Sequence, residues 1–229
     1  MTQIVLIPGL MNDGWVWRHQ IAALSRLGPL HIACNDGCDH LADMAARILE
    51  ATNGPLALVG HSMGGRVALE VAALAPERVT RLAMVASGAQ GLGLNEADGR
   101  MRLVQIAQNS GMAAVADAWM PDMVGTAGRD NPGLMAGLKA MLCRVAVDDF
   151  AAQQHALIHR SDRMDLLAQM HIPTLFISGS EDHSSSTSFN QQMAQMSANG
   201  LSVELPHAGH MLPIEAPTAL TDLLRGFLA

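Results

Sequence analysis

Between Leu58 and Val79 the chain reads LVGHSMGGRVALEVAALAPERV, and the period of its apolar residues changes halfway along. The first residues form a short apolar run, as a strand buried on both faces requires. After them Val67, Leu69, Val71 and Leu74 recur with helical spacing until Pro76 stops the pattern. Gly60, Gly64 and Gly65 crowd the join. Glycine removes the Cβ atoms that a very sharp strand-to-helix turn would bring into collision, so the spacing predicts a strand, a strained turn centred on Ser62 and a helix. Such a turn lifts the Ser62 hydroxyl above the carboxyl end of the strand and aims the first N–H groups of the helix at any negative charge forming there. A bare G-x-S-x-G also fits an incidental serine in a glycine-rich turn. The flanking patterns and the extra Gly65 favour a nucleophile.

The same alternation runs through the rest of the chain. Strand patterns are expected near 3–7, 29–34, 56–60, 80–86, 173–178 and 201–205, and helical ones near 14–26, 39–52, 63–75, 187–197 and 215–228. Alternation of this kind implies an α/β fold with a mostly parallel sheet of about six strands flanked by helices. A length of 229 residues suits one domain, 1–229. The interval 88–171 breaks the rhythm: it is rich in Met and Ala and carries no strand pattern. Because it leaves and re-enters the sheet on the side where Ser62 is expected, it reads as an inserted helical cap over the strand ends.

Charge and composition narrow the partners. A formal charge of −7 without a basic cluster argues against nucleic acid or an anionic membrane surface, and a small, largely apolar molecule fits better. MTQIVLIPG enters a strand directly and no apolar run reaches membrane-spanning length, which points to a soluble, cytoplasmic protein, monomer or homodimer. Cys34, Cys38 and Cys143 make no disulfide framework. His31, Cys34, Cys38 and His40 are zinc-ligand types, but a strand through LHIAC points alternate residues to opposite faces, so no metal or other cofactor is expected.

A nucleophilic serine needs a base, and the base needs an acceptor that fixes its tautomer. LPHAGHMLPIEAP places His207 and His210 in a loop after the last strand, and Gly209 lets the chain turn so that His210 faces the strand ends. His61 adjoins the serine but should point away from it, into packing or a local hydrogen bond. For the acid, PTLFISGSEDHSSS ends a strand just before Glu181 and Asp182. Either could instead serve as a turn former or helix cap. The shorter Asp182 is preferred, because Ser62, Asp182, His210 is the order nucleophile, acid, base of one large hydrolase group.

These segments, with LIPGLMNDGW at the first strand, GHSMGG at the turn, and GSED and GHMLPIEAP near the end, resemble the α/β-hydrolase fold family over nearly the whole chain. The resemblance implies a sheet without the family's first antiparallel hairpin, and an oxyanion hole made by the backbone N–H groups of Leu10 and Met63. Pro8-Gly9 stands where many members have His-Gly, a change the backbone donors do not depend on. It further implies a serine hydrolase of small carboxylic esters working through an acyl-enzyme. A C–C bond or enol-lactone hydrolase on the same triad, or a ligand-sensing receptor that retains it, are the alternatives. Met11, Met63 and Met211 adjoin the proposed catalytic residues. Met101, Met112, Met120, Met123, Met135 and Met141 lie in the cap. Their number suggests a pliable apolar pocket, with Met11, Trp119 and Met211 as wall residues and Trp15 and Trp17 as further candidates. Arg129, Arg144, Arg160 and Arg163 read as a solvated helix face rather than as carboxylate anchors.

Overall fold

The computed structural model describes residues 1–229 and contains one sheet of six strands. In chain order the strands are β1 (Gln3–Ile7), β2 (Leu30–Ile32), β3 (Leu56–His61), β4 (Val79–Val85), β5 (Thr174–Gly179) and β6 (Gly200–Leu205). Across the sheet they run β2-β1-β3-β4-β5-β6, every pair parallel. Every residue of β3 and β5 is buried, which is why these strands read as unbroken apolar runs rather than as alternating ones. β2 is shorter than the sequence suggests, covering three residues at the sheet edge.

The helices are α1 (Ile21–Leu24), α2 (Leu41–Ala51), α3 (Met63–Leu74), α4 (Glu96–Met123), α5 (Thr126–Arg129), α6 (Pro132–Leu142), α7 (Val147–Ile158), α8 (Met164–Gln169), α9 (Thr187–Met196), α10 (Leu212–Glu215) and α11 (Pro217–Leu228). Those from α4 to α8 fill the connection between β4 and β5, and α4 is kinked where Gly111 takes a φ of 78°. No helix is long and apolar enough to cross a membrane.

The single helix expected near 14–26 is absent. Asp13 accepts the Trp15 N–H and starts a 3₁₀ turn over Gly14–Trp17, and only the four residues of α1 follow as α-helix. Gln20, between them, is fully buried and donates to the Pro213 and Pro217 carbonyls, so the segment is tied to the C-terminal helices by a polar group inside its own pattern. The last helix is likewise split, with Pro217 opening α11 two residues after α10 ends.

Strand order reverses direction between β1 and β3, and in an open parallel sheet the crevice at such a switch point, beyond the carboxyl ends of the strands, is where ligands bind. Packing there is very close. A Cβ on Gly64 would lie 2.1 Å from the Ile7 carbonyl oxygen, so α3 meets the end of β1 backbone to backbone. Gly64→Ala is therefore expected to cost about 4 kcal/mol or more and to lower the thermal midpoint by roughly 10 °C or abolish the cooperative transition. Gly226→Ala in α11, where nothing lies within 4 Å of the new atom, should be neutral or slightly stabilising. Calorimetry of the two variants beside the parent checks both.

Candidate active site

Ser62 sits between β3 and α3 with φ 53° and ψ −119°, a left-handed conformation costly for any residue with a Cβ. Its neighbours enforce it. A Cβ on Gly60 would fall 2.3 Å from the Gly64 carbonyl oxygen, and one on Gly65 2.4 Å from Ser87 Oγ. The Ser62 N–H donates to the Val85 carbonyl at 2.9 Å and Ser87 Oγ donates to the Ser62 carbonyl at 2.6 Å, so the strained residue is held on both sides.

The loop after β6 brings His210 to this point. The Ser62 hydroxyl donates to His210 Nε2 at 2.8 Å, and His210 Nδ1–H donates to Asp182 Oδ2 at 2.9 Å. Asp182 is almost wholly buried, and its other oxygen accepts the N–H groups of Ser184 and Ser185. Burial works against its charge, but His210 and those N–H groups outweigh it and hold the carboxyl below the ordinary aspartate range. Glu181 points elsewhere, accepting from the backbone and hydroxyl of Thr126 on the surface. His207 is exposed.

Three contacts fix the His210 loop. The buried His61 ring donates from Nε2 to the His210 carbonyl at 2.9 Å and accepts from Asn12 Nδ2 at Nδ1, which settles it as the neutral imidazole. The His210 N–H donates to the Met123 carbonyl at the end of α4. Glu215 accepts the N–H groups of Gly209 and Met211, on either side of His210, and that of Gly125. One carboxylate thus joins the His210 loop to the helical connection between β4 and β5. Glu215 was not singled out from sequence, although its place in GHMLPIE, five residues past the histidine, is visible there.

Ser62 and His210 open onto a cavity of about 350 Å³. Leu10 and Met63 border it. The turn bonds around Leu10 run from Asn12 N–H to the Gly9 carbonyl and from Met11 N–H to Gln153 Oε1, leaving the Leu10 N–H without a protein acceptor. Met63 opens α3, so its N–H precedes the first intrahelical bond.

The lining corrects the apolar reading of the pocket. Trp119 and Met123 reach it, but Met11 and Met211 are completely buried outside it, and Met112, Met120 and Met141 are core residues. Trp17 packs edge-on against His61 in the core. What the sequence did not reveal is that Arg66, Arg100 and Glu96 line the cavity together with Arg160. Arg160, expected on a solvated face, has a side chain only 1% exposed and pairs with Glu96 at 2.7 Å. Of the other arginines between β4 and β5, Arg163 pairs with Glu70, Arg144 with Asp13, and Arg129 binds backbone carbonyls. His31, Cys34, Cys38 and His40 are not brought together; His40 instead stands with Asp39 and His155 on the surface.

A sequence model described as the alpha/beta hydrolase family matches residues 4–223. The chain belongs to that family. It is 30% identical, over 99% of its length, to the dihydrolipoyllysine-residue acetyltransferase component of the acetoin cleaving system of Pseudomonas putida, of which it spans 63%. Over 38% of its length it is 36% identical to the pimeloyl-(acyl-carrier protein) methyl ester esterase of Photobacterium profundum, spanning 37% of that protein. Among solved structures, a thermophilic esterase from Thermogutta terrifontis superposes with a TM-score of 0.90 at 24% identity, covering 100% of this chain and 89% of the other. The enol-lactonase from Burkholderia xenovorans superposes with a TM-score of 0.88 at 23% identity, covering 99% and 91%. At these identities the likeness is one of fold.

Two stability predictions follow from the His210 loop. Glu215→Ala leaves three backbone N–H groups without their acceptor, which should cost about 3 kcal/mol and lower the thermal midpoint by roughly 6–12 °C. A shift under about 2 °C would mean that the carboxylate does not hold the loop. Burial, with a smaller contribution from neighbouring His210, pushes the pKa of His61 from 6.5 down to about 3. Between those values the unfolded chain binds a proton that the folded chain refuses, so stability falls as pH drops through this window. In urea unfolding at neutral pH and near pH 4, His61→Gln should lose less stability between the two conditions than the parent does.

Proposed function

We propose that the protein is a serine hydrolase of small carboxylic esters, with Ser62 as nucleophile, His210 as base and Asp182 as its orienting acid. The observation that carries this reading is the unbroken hydrogen-bonded series from the strained Ser62 through His210 to buried Asp182, opening on a cavity at the switch point of the sheet. Ser62 Oγ attacks the ester carbonyl while His210 Nε2 takes its proton, and Asp182 stabilises the imidazolium. The oxyanion lies against the Leu10 and Met63 N–H groups at the N-terminus of α3, where the helix dipole adds to the field. His210 then returns the proton to the leaving alcohol, and water, activated by the same imidazole, releases the acid from the acyl-enzyme. The helical insertion roofs the cavity and keeps polymeric substrates out.

The relatives lend support in their own terms. One is named an esterase, and among the solved folds one is an esterase and another an enol-lactonase. An enol-lactone is an internal ester, so these activities share one step, transfer of an acyl group to water.

Ester hydrolysis followed by pH-stat, with intact-protein mass spectrometry to trap the acyl-enzyme, tests the reading. Ser62→Ala should lower kcat by about 10⁴- to 10⁶-fold and abolish the adduct, and Asp182→Asn should lower it by about 10³- to 10⁴-fold with folding intact. Glu181→Gln should change kcat by less than about threefold. Retention of a tenth of parental activity in Ser62→Ala would falsify the mechanism.

A further inference from the structure

The arginines around the cavity differ in how fully their N–H groups are used. A guanidinium carries five. Arg160 uses all of its own, on the carbonyls of Gln90, Gly91 and Leu157 and on both oxygens of Glu96. Arg100 donates twice to Glu96 and once to Gln154. Arg66 makes a single hydrogen bond, from Nη1 to the Gln90 carbonyl at 2.6 Å, and has no carboxylate within ion-pairing distance, whereas Arg100, Arg160 and Arg163 each have one.

The surroundings of Arg66 do not supply the missing anion. Glu96 is already engaged by two guanidinium groups and the Gly93 N–H. Burial disfavours its charge, but Arg160, that N–H and Arg100 prevail and bring its pKa down to about 2. Asp162 spends its oxygens on the N–H groups of Gly91 and Met164. Burial, reinforced by the like charge of Arg160 and only partly offset by the more distant Glu96 and Asp162, pushes Arg66 down to about 9, which leaves it cationic at neutral pH with no carboxylate paired to it. Next to it the terminal amide of Gln90 has a buried oxygen without a partner. The absence of a side chain at Gly88 lets the Gln90 amide and Arg66 pack against the backbone there: a Cβ would lie 2.2 Å from Gln90 Oε1 and 3.2 Å from Arg66 Nη2.

We propose that the cavity takes esters bearing a free carboxylate, hemi-esters of short dicarboxylic acids, and that Arg66 binds that carboxylate while the ester lies at Ser62. This rests on the hydrolase reading above and names its substrate class. Ser62, in the turn that opens α3, and Arg66, in the first turn of that helix, line one cavity. A shared cavity of about 350 Å³ leaves room for a short diacid ester only, and the planar guanidinium matches a carboxylate with two parallel hydrogen bonds. The cavity lining carries three guanidinium groups against the single carboxylate of Glu96, in a chain whose net charge is −7, so positive charge is in excess around the cavity.

Monomethyl succinate, glutarate and adipate, each paired with its neutral dimethyl ester, test this by pH-stat. The parent should favour a mono-anion over its dimethyl ester by about tenfold or more in kcat/KM, chiefly through KM, and Arg66→Gln should collapse that ratio towards one. Arg66→Lys should restore part of it, and circular dichroism checks that both variants fold. Equal turnover of the paired esters by the parent, or a ratio unchanged in folded Arg66→Gln, overturns the proposal.

Binding gives a readout independent of turnover. Calorimetric titration of Ser62→Ala with glutarate should show binding that the added Arg66→Gln change weakens by about tenfold or more. Binding of inorganic phosphate but not glutarate overturns the carboxylate assignment. Failure of the parent to hydrolyse any ester sinks the hydrolase reading, while Arg66-dependent glutarate binding would still uphold carboxylate recognition.

Discussion

The end of β1 and the start of α3 touch through their backbones, and much of the site depends on that contact. With no Cβ at Gly64 to separate them, the Ile7 carbonyl and the helix approach to a distance that no other residue allows. This sets the first turn of α3 directly beside the loop from Pro8 to Met11, so Leu10 and Met63 border one cavity. It also obliges the chain to turn within the single residue Ser62. The positive φ of that residue is a consequence of packing two neighbouring parallel strands and a helix this tightly, and its cost is met by the burial of β3 and α3 around it.

His210 is positioned in a different way. It lies on a loop, and loops take precision from their hydrogen bonds rather than from a ladder. Its carbonyl is held by His61, its N–H by the Met123 carbonyl, and its flanking N–H groups by Glu215. Two of these ties, Met123 and Glu215 through Gly125, end on the helical insertion. Displacement of α4 relative to the sheet would therefore be felt at the imidazole as well as at the cavity wall. His61 links back to Asn12 after β1, which closes the circuit between the loops on either side of Ser62.

How much of this was legible in the sequence varies with the range of the interaction. The strand positions, the turn at Ser62 and the meeting of Ser62, Asp182 and His210 follow from local patterns and from order along the chain, and each was readable there. The helix near 14–26 was misread because its breaking depends on Gln20 finding acceptors at Pro213 and Pro217, nearly two hundred residues away. Met11 and Met211 adjoin the site in sequence yet are buried outside the cavity, since adjacency says nothing about which way a side chain turns. Arg66 was the missed signal that could have been found. It stands in the first turn of the helix expected near 63–75, directly after the turn that carries Ser62.

The cavity arginines carry the electrostatic argument one step further. Arg160 and Arg100 are satisfied by Glu96 and by carbonyl or amide oxygens, and they pin the start of α4 to the end of α7 and to the Gln90–Gly91 segment. That network holds the insertion in place and leaves little donor capacity for a ligand. A buried cation is costly when unpaired, and a fold can lower that cost either with its own carboxylate or with one that arrives from outside. Around Arg160 and Arg100 the first solution is visible; at Arg66, facing the same space as Ser62, it is missing. The distribution of partners thus divides chemically identical side chains into those that shape the cavity and one that is free to select what enters it.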